Sequence, residues 1–396
     1  MTDMASATDE ELVSSQIDRL LSEADPRGPR EAFMGAQFDL GLAWVQFPKG
    51  RGGLGVAPRL QAVVEERLDA ATSHRPRSWD ILGHGMGAPV LVAHGDDRQL
   101  GRWLRPMFVG SEVWCQMFSE PGSGSDVAGL SSRAVKDGEE WVVNGQKVWT
   151  TLAHVSKWGM LLLRTDPELP KHKGMSYFVV DMQAPGVEVR PLRQITGEAE
   201  FNEVYFSDVR IPDAQLIGSR GDGWRVALTT LMNERVAIGS RTQARNTGAI
   251  ADLVAVWLER GGDAEQRNRV TGLWAEAEVA RLTNLRAAGN RATGTPGPEG
   301  STAKLVYAEL NKRIYDLATE LMGPSGMLYD SYADSQPRPG DPESTDFRRR
   351  FLRSRANSIE GGTSEIMKNI LGERVLGLPG EPRTDRDLPW SDIPRS

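Results

Sequence analysis

The chain has 396 residues, 39% of them hydrophobic and 26% charged, with a formal net charge of -7. That length exceeds one compact core, so two or three packed domains are expected, and the composition is that of a folded protein rather than a disordered one. The acidic balance argues against nucleic acid or an acidic membrane surface as a default partner. A lone cysteine, Cys115, cannot form an internal disulfide, and no His/Cys cluster has metal-ligand spacing. A reducing, cytoplasmic setting without a metal is therefore expected. Residues Met1 to Glu11 lack a basic region followed by an apolar stretch, and no apolar run is long enough to span a bilayer, so the chain reads as unprocessed and outside the membrane.

In chain order the texture changes twice. From Glu10 to Gly110 apolar residues recur at helical spacing, as in Leu60, Val63, Val64 and Leu68, or Leu91, Leu100 and Leu104, between Gly/Pro breaks. Between Cys115 and Asp213 the segments become short and alternating. Glu140–Thr151 carries an Asn144-Gly145 turn signal, and Met160–Arg164, Tyr177–Asp181, Val187–Arg190 and Asn202–Phe206 read as strands. Helical patterns return from Gly223 to Leu378, with breaks at 260–263, 294–300 and 331–345. The expected fold is α+β, with a helical domain over 1–113, a small β-domain over 114–215 and a helical domain over 216–396.

Several segments carry chemistry. Gly50-Arg-Gly-Gly-Leu-Gly55 fits the dinucleotide pattern G-x-G-x-x-G, but no βαβ unit follows it and no acidic residue sits about 20 positions on after a second strand, so it reads as an interhelical turn. Gln116 to Ser125 (Gln-Met-Phe-Ser-Glu-Pro-Gly-Ser-Gly-Ser) can bring backbone N–H groups close to a planar or phosphorylated ligand, because glycine has no Cβ to block approach. On its own such a stretch reads as an exposed turn. Downstream, in order, stand Asn144-Gly-Gln-Lys-Val-Trp-Thr-Thr151, Leu231-Met-Asn-Glu-Arg-Val-Ala-Ile238, Met322-Gly-Pro-Ser-Gly326 and Ser358-Ile-Glu-Gly-Gly-Thr-Ser-Glu365.

Together these segments, over about residues 35 to 378, resemble the acyl-CoA dehydrogenase superfamily, flavoenzymes that desaturate an acyl-CoA thioester between its α and β carbons. The resemblance implies noncovalent FAD held by Gln116, Phe118, Ser119, Gly124, Ser125, Trp149, Thr150, Thr151, Gly323, Thr363 and Glu365. It implies acyl-CoA contacts from Ser125, Asn233 and Arg235, and a thioester-oxygen contact from the Gly361 N–H. It also implies hydride transfer to flavin N5, electrons passed on to an electron-transfer flavoprotein, and a homotetramer or a heterotetramer with a related chain. Abstraction of an α-proton needs a carboxylate in a dry site. In one branch of the family the base immediately precedes a Gly-Thr pair, where this chain has Gly361; Glu360 is one residue off. In the branch of isovaleryl-CoA, long-chain and actinobacterial sterol side-chain members, the base is a helical Glu directly before an Arg, which matches Glu234-Arg235. At helical spacing Glu234 shares a face with Ala227, Thr230, Leu231, Ala237 and Ile238, and burial there would raise its pKa. Glu234 is therefore the expected base and Glu360 the lesser candidate. The Arg-x-x-Phe-Gly segment of most relatives is missing between Arg241 and Arg269, so an unlike partner chain is open. The alternatives are a flavin oxidase or monooxygenase on this scaffold, and a non-catalytic partner subunit.

Overall fold

The computed structural model describes residues 7–74, 80, 82–239, 244–292, 299–329, 331, 333, 335–338, 346–382 and 384–394, with backbone alone at 7, 235–239, 290–292 and 299. They form two compact units, one drawn from Met1–Leu192, Phe201–Asn233 and Thr384–Ser396, the other from Arg193–Glu200 and Glu234–Arg383.

In the first unit, helices α1 (Ala7–Glu23), α2 (Arg30–Asp39), α3 (Gln61–Ala71), α4 (Ala88–His94) and α5 (Asp97–Val109) come first. Val13, Ile17 and Leu20 of α1 recur at helical spacing and bury against Leu60, Val64 and Leu68. This is the one-face apolar stripe of an amphipathic helix, and it leaves Val63 of the same sequence run partly exposed. The stretch Gly50–Gly55 is a turn between helices, as expected. Helix α5 opens with a capping box in which the Asp96 carboxylate accepts from Gln99 N and the Gln99 amide oxygen accepts from Asp96 N. The Gln99 amide then donates to the carbonyls of Ala214 and Leu216, at 2.9 and 2.8 Å, tying the helices to the end of the β-domain.

That domain is one sheet of β1 (Trp114–Met117), β2 (Arg133–Asp137), β3 (Glu140–Thr151), β4 (Trp158–Arg164), β5 (Met175–Asp181), β6 (Val187–Leu192), β7 (Phe201–Pro212) and β8 (Leu216–Ile217). The order is β6-β7-β3-β2-β4-β5-β8, with β1 parallel beside β4. All seven residues of β4 are buried, because each face of the sheet is covered there. Met160 and Leu162 face the core shared with the helices, and Leu161 and Leu163 the second core, with Phe178, Val180 and Val204. One expectation is corrected. Asn144-Gly145 is not a hairpin turn but a register shift inside continuous β3, where Gly145 has φ +152° and a Cβ would lie 2.2 Å from Ser132 Oγ. The hairpin turn between β2 and β3 lies instead at Gly138-Glu139, with Asp137 paired to Glu140 and Gly138 at φ +61°.

Helix α6 (Gly223–Gly239) begins in the first unit, with Val226, Ala227 and Thr230 buried. The second unit takes up its end and continues with α7 (Ala249–Arg260), α8 (Ala264–Ala292), α9 (Glu299–Leu321), α10 (Phe347–Ser354) and α11 (Ser364–Ile370). Its core joins Ile250 and Leu253 of α7, Val270 and Leu273 of α8, and Leu310, Ile314 and Leu317 of α9. The expected order of helices, sheet and helices is the one observed.

Candidate active site

Within the first unit, the loop after β1 is held by the protein's own side chains and backbone. Phe118 is buried edge-on against Tyr177 at 5.8 Å, and the Tyr177 hydroxyl meets that of Thr230 at 3.1 Å. Burial pushes the Tyr177 pKa up, so this hydroxyl stays protonated. Ser119 accepts from Val148 N at 3.0 Å, while Glu120 and Ser123 exchange two backbone hydrogen bonds across Pro121-Gly122. The loop is then fixed by a buried ion pair that sequence reasoning missed. Lys147 of β3 is wholly buried, and its ammonium donates to Glu120 Oε1 at 2.8 Å and to the Phe118 carbonyl at 3.1 Å. Glu120 also accepts from Ser131 N, Ser131 Oγ and Ser132 N, at 2.7, 2.9 and 2.9 Å. Burial alone would raise its pKa, but Lys147 and these donors outweigh it and hold the carboxyl below its ordinary value. Beyond this clamp Gly124 and Ser125 are exposed, and neither Gly122 nor Gly124 has an atom within 4 Å of a Cβ position. Gln116 sits on β1 opposite Met160.

The end of β3 shows what this surface suits. A second register shift lies between Lys147 and Thr150, and within it Trp149 adopts φ +60°, a left-handed conformation uncommon for a bulky residue. Its indole stands 57% exposed, edge-on to Phe201 at 5.9 Å. Thr150 is wholly buried, its carbonyl accepts from Asn202 Nδ2 at 3.1 Å, and its hydroxyl has no hydrogen-bond partner among the described residues. Thr151 closes the strand opposite Phe201. A bare aromatic face, a buried hydroxyl lacking a partner and a glycine-rich turn open to solvent fit a planar, polar-edged ring, so the residues present suit a flavin.

The second unit holds the carboxylates. Glu234 lies on α6 one turn beyond Thr230 and is half-buried. Asn233, just before it, donates its amide back to the Thr229 carbonyl at 2.8 Å. The Arg235 side chain lies outside the described residues, as do the side chains of Ala237 and Ile238 and residues 240–243. Glu360 is engaged otherwise: Arg353 of α10 grips both its oxygens, at 2.9 and 3.1 Å, and Asn357 Nδ2 donates to it at 2.9 Å. Arg353 also reaches Glu200, at 3.1 Å. Gly361 and Gly362 follow with φ of +60° and +90°, a conformation that costs glycine little. Thr363 caps α11, its hydroxyl accepting from Ile366 N at 3.1 Å. The helix start expected there is present, with one of its free N–H groups already used. Glu365 is exposed in its first turn. Gly323, at φ +59°, opens a 3₁₀ turn over Gly323–Met327 after α9.

A second buried lysine also escaped the sequence reading. Lys304 of α9 is 2% exposed, and its ammonium donates to the carbonyls of Asn357 at 2.8 Å and Gly362 at 2.6 Å. Burial lowers its pKa, opposed by the charges of Glu360, Glu309, Glu234 and Glu365. The signal was present: Ser301, Lys304, Ala308 and Tyr315 fall on one helical stripe, all buried. Among the described residues no group of three or more His, Cys, Asp or Glu could hold a metal ion, and no helix is long and apolar enough to cross a membrane.

Comparison with known proteins follows the same division. The models of the acyl-CoA dehydrogenase N-terminal, middle and C-terminal domains match residues 2–111, 115–209 and 221–376. Acyl-CoA dehydrogenase IpdE1 of Mycobacterium tuberculosis is 37% identical over 87% of this chain and 86% of its own length. Acyl-CoA dehydrogenase FadE34 of the same organism is also 37% identical, over 89% of this chain, which spans 47% of that longer protein. In structure, the chain is similar to the Tcur3481-Tcur3483 steroid ACAD, with a TM-score of 0.72 at 25% identity over 96% of this chain and 100% of that one. It is also similar to the ChsE4-ChsE5 complex of Mycobacterium tuberculosis, with a TM-score of 0.69 at 27% identity over 96% of this chain and 100% of that one. The chain belongs to the acyl-CoA dehydrogenase family, a family of FAD-dependent oxidoreductases.

Proposed function

We propose that this chain catalyses α,β-dehydrogenation of an acyl-CoA thioester with Glu234 as the base. The observation that carries the reading is the state of the two candidate carboxylates. Glu360 is held on both oxygens by Arg353 and again by Asn357, so its carboxylate is already engaged in holding α10 and the turn that follows it. Glu234 stands half-buried on α6, where the Glu-Arg pair was found. FAD, when bound, supplies the hydride acceptor. The chain's own residues do the rest. Trp149, Thr150 and the Phe118–Ser125 loop hold and orient the ring, Glu234 takes the α-proton, and the Gly361 N–H donates to the thioester oxygen as it gains negative charge. Ser125, Asn233, Arg235, Gly323, Thr363 and Glu365 complete the proposed cofactor and substrate contacts, and an electron-transfer flavoprotein reoxidises the enzyme.

We further infer assembly with a second, related chain. Two relatives are named as pairs of unlike chains, and this chain lacks the Arg-Phe-Gly segment. Steroid acyl-CoA is the first acyl class to test, given the relative described as a steroid ACAD. The test is anaerobic flavin bleaching by a panel of straight, branched, aromatic and steroid acyl-CoA thioesters, with the chain alone and co-expressed with a candidate partner. Bleaching by one class supports dehydrogenation; flavin that is reduced only by an external donor and reoxidised by oxygen with substrate hydroxylation would replace it with the monooxygenase reading.

A further inference from the structure

Lys304 has no part in the reaction as proposed, yet it is a charged group at 2% exposure. An ammonium taken out of water is costly unless its protons are all used well. The described hydrogen bonds of Lys304 go to backbone, not to a carboxylate: the carbonyls of Asn357 and Gly362, five positions apart. This span ends on Gly361 and Gly362, both at positive φ, residues whose own conformational freedom leaves them unable to hold a direction. One turn pair further along the same face of α9, Asn311 Nδ2 donates to Asn357 Oδ1 at 2.7 Å, so two residues of one helix grip the same turn. On the other side Arg353 holds Glu360.

We propose that Lys304 is the positioning residue of the thioester-binding loop: its single ammonium, bonded to the Asn357 and Gly362 carbonyls, closes residues 357–362 and thereby aims the Gly361 N–H. The inference rests on the proposed role of Gly361 as donor to the thioester oxygen. The charge of Lys304 also acts on Glu234, one of the four glutamates whose field opposes the effect of its burial, so base and donor loop are biased by the same group.

The experiment compares the FAD-loaded wild type, Lys304→Gln and Asn311→Ala with two probes, hexanoyl-CoA and the thioether hexyl-CoA, which lacks the carbonyl oxygen. Amide hydrogen exchange over 357–363 is measured in the same samples without either probe. Wild type should prefer the thioester. Lys304→Gln should lose about ten-fold or more of that preference, a part of the 10²–10³ that removal of a well-aimed donor costs. Thioether affinity and FAD content should hold, and exchange over 357–363 should rise. Asn311→Ala, which leaves the buried charge in place, should move both readouts the same way by less, and it carries the test if Lys304→Gln does not fold. Unchanged exchange and unchanged preference in the variants would overturn the inference. Lack of a thioester preference in the wild type would instead sink the Gly361 reading, while the exchange data still decide whether Lys304 holds the loop.

Discussion

At the scale of single residues, Glu360 is engaged by Arg353 and Asn357, and Glu234 is the proposed base. Glu234→Gln keeps the shape and removes the proton acceptor, so stopped-flow flavin reduction should slow by about 10² to 10⁴ with FAD retained. Glu360→Gln leaves the Arg353 guanidinium short of its partner and should lower thermal stability, with a smaller effect on flavin reduction. A dead Glu360 variant beside a fully active Glu234 variant would reverse the assignment. Thr150 offers a test that needs no turnover. Its buried hydroxyl has no partner among the described residues, so Thr150→Val should leave the apoprotein as stable as wild type or slightly more so, while FAD affinity measured by titration drops about ten-fold for one lost hydrogen bond. Equal FAD affinity in the two proteins would remove Thr150 from the cofactor site. The Glu234-Arg235 pair and the proposed flavin segments stand out in the sequence because they are short and contiguous. Lys147, Lys304 and Arg353 were not, because a charged residue read alone belongs at the surface, and only its place in an alternation or a helical stripe shows that it points inward.

Among elements, β3 carries the most. The strand's extent was readable from its alternation, but the meaning of Asn144-Gly145 was not, because the same dipeptide serves a hairpin or a bulge and only the pairing with β7 decides. The parallel pairing of β1 with β4 leaves no local trace at all. Gly145→Ala should push β3 away from Ser132 and cost about 1–3 kcal/mol in denaturant unfolding. The Lys147–Glu120 pair should behave as a buried pair: Lys147→Met strands the Glu120 charge and should cost about 3–5 kcal/mol, whereas joint replacement by Met and Leu should recover much of the loss. The pH dependence has a definite sign. A carboxyl held below its ordinary pKa contributes stability that is complete above the unfolded value of about 4.3 and is lost as the pH falls through the lower folded value. The stability gap between wild type and Glu120→Gln should therefore be widest near neutrality and close on acidification below about pH 4. A gap that stays constant down to pH 3 would mean that Glu120 is not the titrating group.

For the whole molecule, the exposed apolar residues of the second unit point to assembly. Val279, Leu282 and Leu285 of α8 are 63%, 51% and 43% exposed, and Leu258 of α7 is 70% exposed. Light scattering of the FAD-loaded protein, alone or with a related partner, should give a mass several times 43.5 kDa. A fully active species at the single-chain mass would exclude the proposed assembly. The first unit also draws on residues that follow the second in the chain. Asp385 pairs with Lys171 at 2.7 Å, and Trp390 is covered by the Arg164 guanidinium at 4.7 Å and donates its backbone N–H to the Leu169 carbonyl. Arg164 in turn holds the Ala128 carbonyl at 2.6 Å, within the loop that leads from the Gly-rich turn to β2. The order of synthesis and the order of completion therefore differ. On the ribosome, the helices and sheet of the first unit emerge early, but the piece that locks Arg164 arrives only after the whole helical unit has been made. A nascent chain stalled at residue 380 should already protect the sheet from protease while leaving the 126–132 loop cleavable, and that loop should become resistant once residue 394 has cleared the exit tunnel.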